Sequence, residues 1–112
     1  MRVLVVLTPL MYREAIAHSL RQHRPALDLR IAAPEVAEEY LRSFAPHLLV
    51  QTDTNGLDRA DLASVPSWVE IGYSDSMDAW IYSGGHLKKY KDISTDILLG
   101  VVDEVAAWLG RP

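Results

Sequence analysis

The residues with chemistry to offer are few, and most sit just after apolar runs. Thr8 follows the first run, Thr52, Asp53, Thr54 and Asn55 follow the third, and Ser74 and Asp75 follow the fourth. Hydroxyls and one or two carboxylates gathered there suit a small polar ligand or weak acid–base work, with Asp53 or Asp75 as the acid–base group. The same residue types are also ordinary turn formers and helix caps. The four histidines, His18, His23, His47 and His86, are scattered. His18 and His23 are five apart, off the helical spacing that brings two ligands together, so no metal site is expected. Ser83 and His86 bracket Gly84 and Gly85, a serine near a histidine that a hairpin turn explains without a nucleophile. There is no cysteine, which removes disulfides, thiolate catalysis and thiolate-bound metals.

Phosphate-binding motifs are missing as well. A phosphate cradle needs a glycine- or hydroxyl-rich loop feeding a helix N-terminus. The stretch Thr8-Pro9-Leu10-Met11 has one hydroxyl, no glycine, and a proline that lacks an amide donor. Neither a dinucleotide fingerprint nor a P-loop occurs elsewhere, so no cofactor is expected. The formal net charge of −4 argues against nucleic acid as the main partner. The one dense basic cluster, Lys88, Lys89 and Lys91, reads as an edge-protecting face. The apolar run Val3 to Leu7 is too short for a signal peptide core or a membrane span, and a cytoplasmic protein without membrane contact is expected.

The elements that must position these residues can be read in order. With 112 residues the chain fits one domain, 1–112. Val3 to Leu7 is continuous and rich in β-branched residues, as in a strand buried on both faces. Thr8-Pro9 marks a helix start, and a helix is expected from Leu10 to about Gln22 with Tyr12, Ile16, Ser19, Leu20 and His23 on its stripe. Leu27 to Ile31 alternates, as an edge strand would. Pro34 opens a second helix with Val36, Ala37, Tyr40, Leu41 and Phe44 buried. Leu48 to Val50 is a short central strand. A short helix is expected over Arg59 to Ser64, then a fourth strand from Trp68 to Tyr73 and a turn at Ser74 to Ser76.

Two strand-like runs, Ala79 to Tyr82 and Leu87 to Tyr90, flank Gly84-Gly85. That is a hairpin signal, because primed turns need positive φ. It sets Tyr82 against Leu87, Trp80 against Lys89, and Asp78 against Lys91. Ser94 caps a last helix from Thr95 to about Leu109, with Ile97, Leu98, Val101, Val102, Val105 and Leu109 on its apolar stripe. The hairpin concentrates aromatic area. Only one face of a ribbon can pack on a helix, so Trp80, Tyr82, Leu87 and Tyr90 are interface candidates, with a homodimer as the expected form.

The strand Arg2 to Val6, then Pro9-Leu10, Arg13-Glu14, Pro25 and Leu29 to Ile31, resembles a response-regulator receiver domain. The similarity continues through Phe44-Ala45-Pro46-His47-Leu48-Leu49-Val50 and resumes at Asp92 to Thr95, covering roughly half the chain. The resemblance implies an α/β, three-layer, flavodoxin- or receiver-like fold with a mostly parallel sheet. Here a C-terminal β-hairpin replaces the family's fourth helix. It implies no working phosphotransfer site. Leu7 and Thr8 stand where the family carries its acidic pair, the phosphoacceptor position falls on Thr52 with Asp53 one residue late, and no lysine precedes Lys88 after the fifth strand. The expectation is a non-catalytic, phosphorylation-independent module of signal transduction, a pseudo-receiver acting through protein contact. The alternative is a small-ligand-binding protein or minor enzyme using the strand-end crevice.

Overall fold

A computed structural model describes residues 1–6, 10–52, 65–72, 78–91 and 93–109, with side chains except at 10–13 and 34. The chain runs β1 (Arg2–Val6), α1 (Leu10–His23), β2 (Asp28–Ile31), a 3₁₀ turn (Pro34–Val36), α2 (Ala37–Ser43), β3 (Leu48–Thr52), β4 (Ser67–Ile71), β5 (Ala79–Ser83), β6 (His86–Tyr90) and α3 (Thr95–Leu109). The short helix expected over Arg59 to Ser64 and the turn at Ser74 to Ser76 lie outside the described residues.

The strands form one six-stranded mixed sheet in the order β2-β1-β3-β4-β5-β6. β1 to β4 are parallel. β5 and β6 run antiparallel to their neighbours. Strand parity decides which face each residue meets. Val3, Val5, Leu48, Val50, Val69, Ile71, Ala79 and Ile81 share one cluster with Ala17 and Leu20 of α1 and with Leu98, Val101, Val102 and Val105 of α3. Leu4, Val6, Leu49 and Trp68 face the other way, onto Ala37 and Leu41 of α2. β1 and β3 are thus apolar along their length because both faces are covered.

β2 is the edge strand its alternation announces. Leu29 is buried, while Asp28 and Arg30 stay exposed with their side chains 3.6 Å apart. Arg30 also lies over the Phe44 ring at 5.0 Å from its centroid. α3 starts where expected, because Ser94 Oγ accepts the Ile97 amide at 3.3 Å.

Helix stripes shift in detail. Among the described side chains of α1, Ala17 and Leu20 are buried, Ile16 is half-buried and His23 is exposed, while the side chain of Tyr12 lies outside those described. Pro34 opens a 3₁₀ turn rather than the α-helix itself. The tighter winding leaves Val36 outside the buried stripe at 39% exposure, while Ala37 and Leu41 stay buried. At the end of α3, Leu109 is exposed and Leu99, outside the expected stripe, is buried.

The link from α2 to β3 is held from the chain's start. Ala45 takes a left-handed backbone, φ +47°, directly before Pro46. Arg2 Nε donates to the Ala45 carbonyl at 3.0 Å and the His47 amide donates to the Arg2 carbonyl at 2.9 Å. The Arg2 amide donates to His47 Nδ1 at 2.9 Å. That last bond requires Nδ1 to be unprotonated. Partial burial, and then the charge of Arg2, hold the His47 imidazolium below its ordinary pKa.

Candidate functional site

Parallel strands β1, β3 and β4 end together at Val6, Thr52 and Ile71, where an open α/β sheet offers its crevice. Of the crevice candidates, Thr52 is described and is buried on the α1/α3 side of the sheet, 1% exposed. Thr8, Asp53, Thr54, Asn55, Ser74 and Asp75 lie outside the described residues. Gln51 is a residue that the sequence reading passed over. It is buried on the α2 face between Val6 and Glu70, and its Oε1 has no hydrogen-bond partner among the described residues. Its place inside a strand of apolar neighbours was the available signal, since a buried carboxamide demands partners.

The hairpin is built as its glycines dictate. Gly84 and Gly85 have φ of +64° and +79°, the conformation a two-residue primed turn requires. Tyr82 pairs with Leu87, and Trp80 with Lys89. Register then divides the four interface candidates. Tyr90 pairs with Ala79, so it faces α3 and packs against that core. Trp80, Tyr82 and Leu87 share the opposite face. Tyr82 stacks on the buried Trp68, with ring centroids 5.7 Å apart and planes 13° from parallel. Leu87 is 43% exposed and Trp80 38%. Lys89 Nζ lies over the Trp80 ring at 5.7 Å, and Glu70 is the residue opposite Trp80 on β4. The outer face is thus a small aromatic–aliphatic patch with one cation and one carboxylate beside its centre.

The inner face of the hairpin meets α3 around a cavity of about 60 Å³ lined by Ser83, His86, Lys88, Tyr90, Val101 and Glu104. Ser83 and His86 are cross-strand partners, yet among the described residues the Ser83 hydroxyl makes no hydrogen bond, so it is not paired with His86 as a nucleophile with its base. Gly84 seats against α3: a Cβ there would overlap the six-membered ring of Trp108.

A larger cavity, about 360 Å³, opens at the other end of the sheet, floored by Met1, Leu27, Val102 and Ala106. Arg24 and Asp103 pair across its rim by two hydrogen bonds of 2.8 and 2.7 Å. The pairing lowers the Asp103 pKa and raises that of Arg24. The cavity has an apolar floor, and the Arg24–Asp103 pair at its rim is already satisfied.

Among the described residues, no three His, Asp or Glu side chains are grouped to hold a metal. Nor, among them, is any helix long and apolar enough to cross a membrane. No protein-family model, no curated protein and no solved structure matches this chain.

Proposed function

We propose that this chain is a non-catalytic, phosphorylation-independent interaction module of the receiver-like kind, and that its partner is a second copy of itself. The observation that carries the reading is the outer face of the hairpin, where Trp80 and Leu87 lie exposed beside the half-buried Tyr82. Large aromatics flanked by a few charges are what the centres of protein interfaces use.

The charges favour self-association over other partners. Glu70, Trp80 and Lys89 lie in one row across β4, β5 and β6. A two-fold axis over Trp80 carries Lys89 of one protomer towards Glu70 of the other. Edge-to-edge pairing of two β6 strands is the poorer geometry. Centred on Lys88, it would set lysine against lysine. The expected dimer therefore packs face to face.

Sedimentation and light scattering from micromolar to millimolar chain concentration test this. A dimer is expected for the native chain, and monomers of unchanged far-ultraviolet dichroism for Trp80→Ser and Leu87→Ser. A native chain that stays monomeric throughout, or variants that dimerise as well as it does, would sink the proposal. Labelling of Asp53 by acetyl phosphate with Mg²⁺ would end the phosphorylation-independent part.

A second reading, a small-ligand site at the strand ends, draws support from the orphaned Oε1 of Gln51. A thermal-shift screen of nucleotides, flavins and small acids addresses it. A hit lost in Gln51→Leu and Asp53→Ala would favour that crevice.

A further inference from the structure

The cavity between the hairpin and α3 is a separate place, on the opposite face of the sheet from the proposed dimer surface. Its floor carries a polar group, the Ser83 hydroxyl. Ser83 is 7% exposed, and its Oγ has no partner among the described residues. Continuing the β4–β5 register by one residue sets Ser67 beside Ser83, and the Ser67 Oγ is also fully buried and unpartnered. Ser67 is not part of the cavity lining, whereas Ser83 is, and a buried hydroxyl left without a partner calls for one.

Around this floor stand groups of opposite sign. His86 and Lys88 project from β6 on the same face as Ser83, and Tyr90 completes that row of side chains. Glu104 faces them from α3. Among the described residues neither Lys88 nor His86 forms an ion pair with Glu104. Donors on one wall and an acceptor on the other therefore stand apart, with space between them. At about 60 Å³ the space is large enough for a small polar guest.

We propose that this cavity binds a small tetrahedral oxyanion that still carries a proton, free hydrogenphosphate being the simplest. Its oxygens accept from the Ser83 hydroxyl, the Lys88 ammonium and the His86 ring N–H. Its own O–H donates to the Glu104 carboxylate. The acceptor wall makes the site selective. Sulfate, fully deprotonated near neutral pH, has no proton to give Glu104 and would set oxygen against oxygen. The dianion of a phosphate monoester has the same defect.

The test is an amide-resonance titration with inorganic phosphate at mildly alkaline pH, repeated with sulfate, a simple phosphate monoester and chloride at equal ionic strength. Saturable shifts are expected at Ser83, His86, Lys88 and Glu104, with sulfate and the monoester at least about tenfold weaker. Lys88→Met should abolish saturation and Ser83→Ala weaken binding about tenfold. Glu104→Gln supplies a donor in place of the acceptor and should erase the preference for phosphate over sulfate. Non-saturating shifts that chloride reproduces would mean a water-filled cavity and overturn the site. Equal binding of phosphate and sulfate by the native chain, or binding unchanged in both Lys88→Met and Ser83→Ala, would overturn the assignment as well.

Discussion

The two ends of the sheet obey the same parity rule and come out differently. In β1 and β3, odd and even residues both find a helix layer, so Val3 to Val6 and Leu48 to Thr52 are buried without a break. In β5 only the face towards α3 is fully buried, and in β6 every residue but the half-buried Tyr90 is exposed. Ala79, Ile81 and Ser83 are buried, while Trp80, Leu87 and Lys89 are exposed. The parallel part is spent on holding the fold together. The antiparallel margin has side chains to spare, and its two faces offer different chemistry, apolar outside and polar inside.

Substitution should separate the two ends most sharply in stability. Leu49→Ala, on fully buried β3, is expected to cost about 3 kcal/mol in denaturant unfolding, and Leu87→Ala less than about 0.5 kcal/mol. Measured at chain concentrations low enough to keep the protein monomeric, similar losses at the two sites would mean that the hairpin's outer face is covered within one chain. The next effect lies at the hairpin tip. Gly84→Ala adds an unfavourable φ to a clash with Trp108 and should cost about 2 kcal/mol, whereas Gly85→Ala has open space and should cost about 1 kcal/mol. Combining Gly84→Ala with Trp108→Ala should recover part of that difference, and strict additivity would deny the contact.

The smallest expected effect belongs to the parallel end. His47 accepts the Arg2 amide only when neutral, and its pKa is held below the ordinary 6.5. The unfolded chain then takes up that proton at higher pH than the folded one. The contribution is whole above about 6.5 and is lost as pH falls through the lowered folded value. His47→Gln should flatten this part of the stability–pH curve, and an unchanged curve would refute the assignment.

Much of this frame is legible in the residues themselves. Continuous apolar runs marked β1 and β3, alternation marked β2, and Gly84-Gly85 fixed the hairpin register, including Trp80 against Lys89. The misses have physical causes. Val36 leaves its stripe because Pro34 winds a 3₁₀ turn, with a different period from the helix that follows. Composition groups Tyr90 with Trp80 and Leu87, though strand parity sets it on the other face. The polar cavity could not be read in advance, because it depends on where Glu104 of α3 comes down over the hairpin. The crevice candidates apart from Thr52 lie outside the described residues, and a single polar residue in an apolar strand, such as Gln51, leaves no periodic trace.

The seating of Trp108 on Gly84 has an optical consequence. The chain's three tryptophans occupy three settings: Trp68 in the core, Trp80 on the open face, and Trp108 half-buried at the hairpin tip. Single-tryptophan variants made with phenylalanine would therefore emit at distinct wavelengths without any added label. Trp80 alone would report the meeting of two copies by a blue shift. Trp108 alone would report the hairpin lifting from α3 by a red shift, and Trp68 would remain silent until the whole sheet opens.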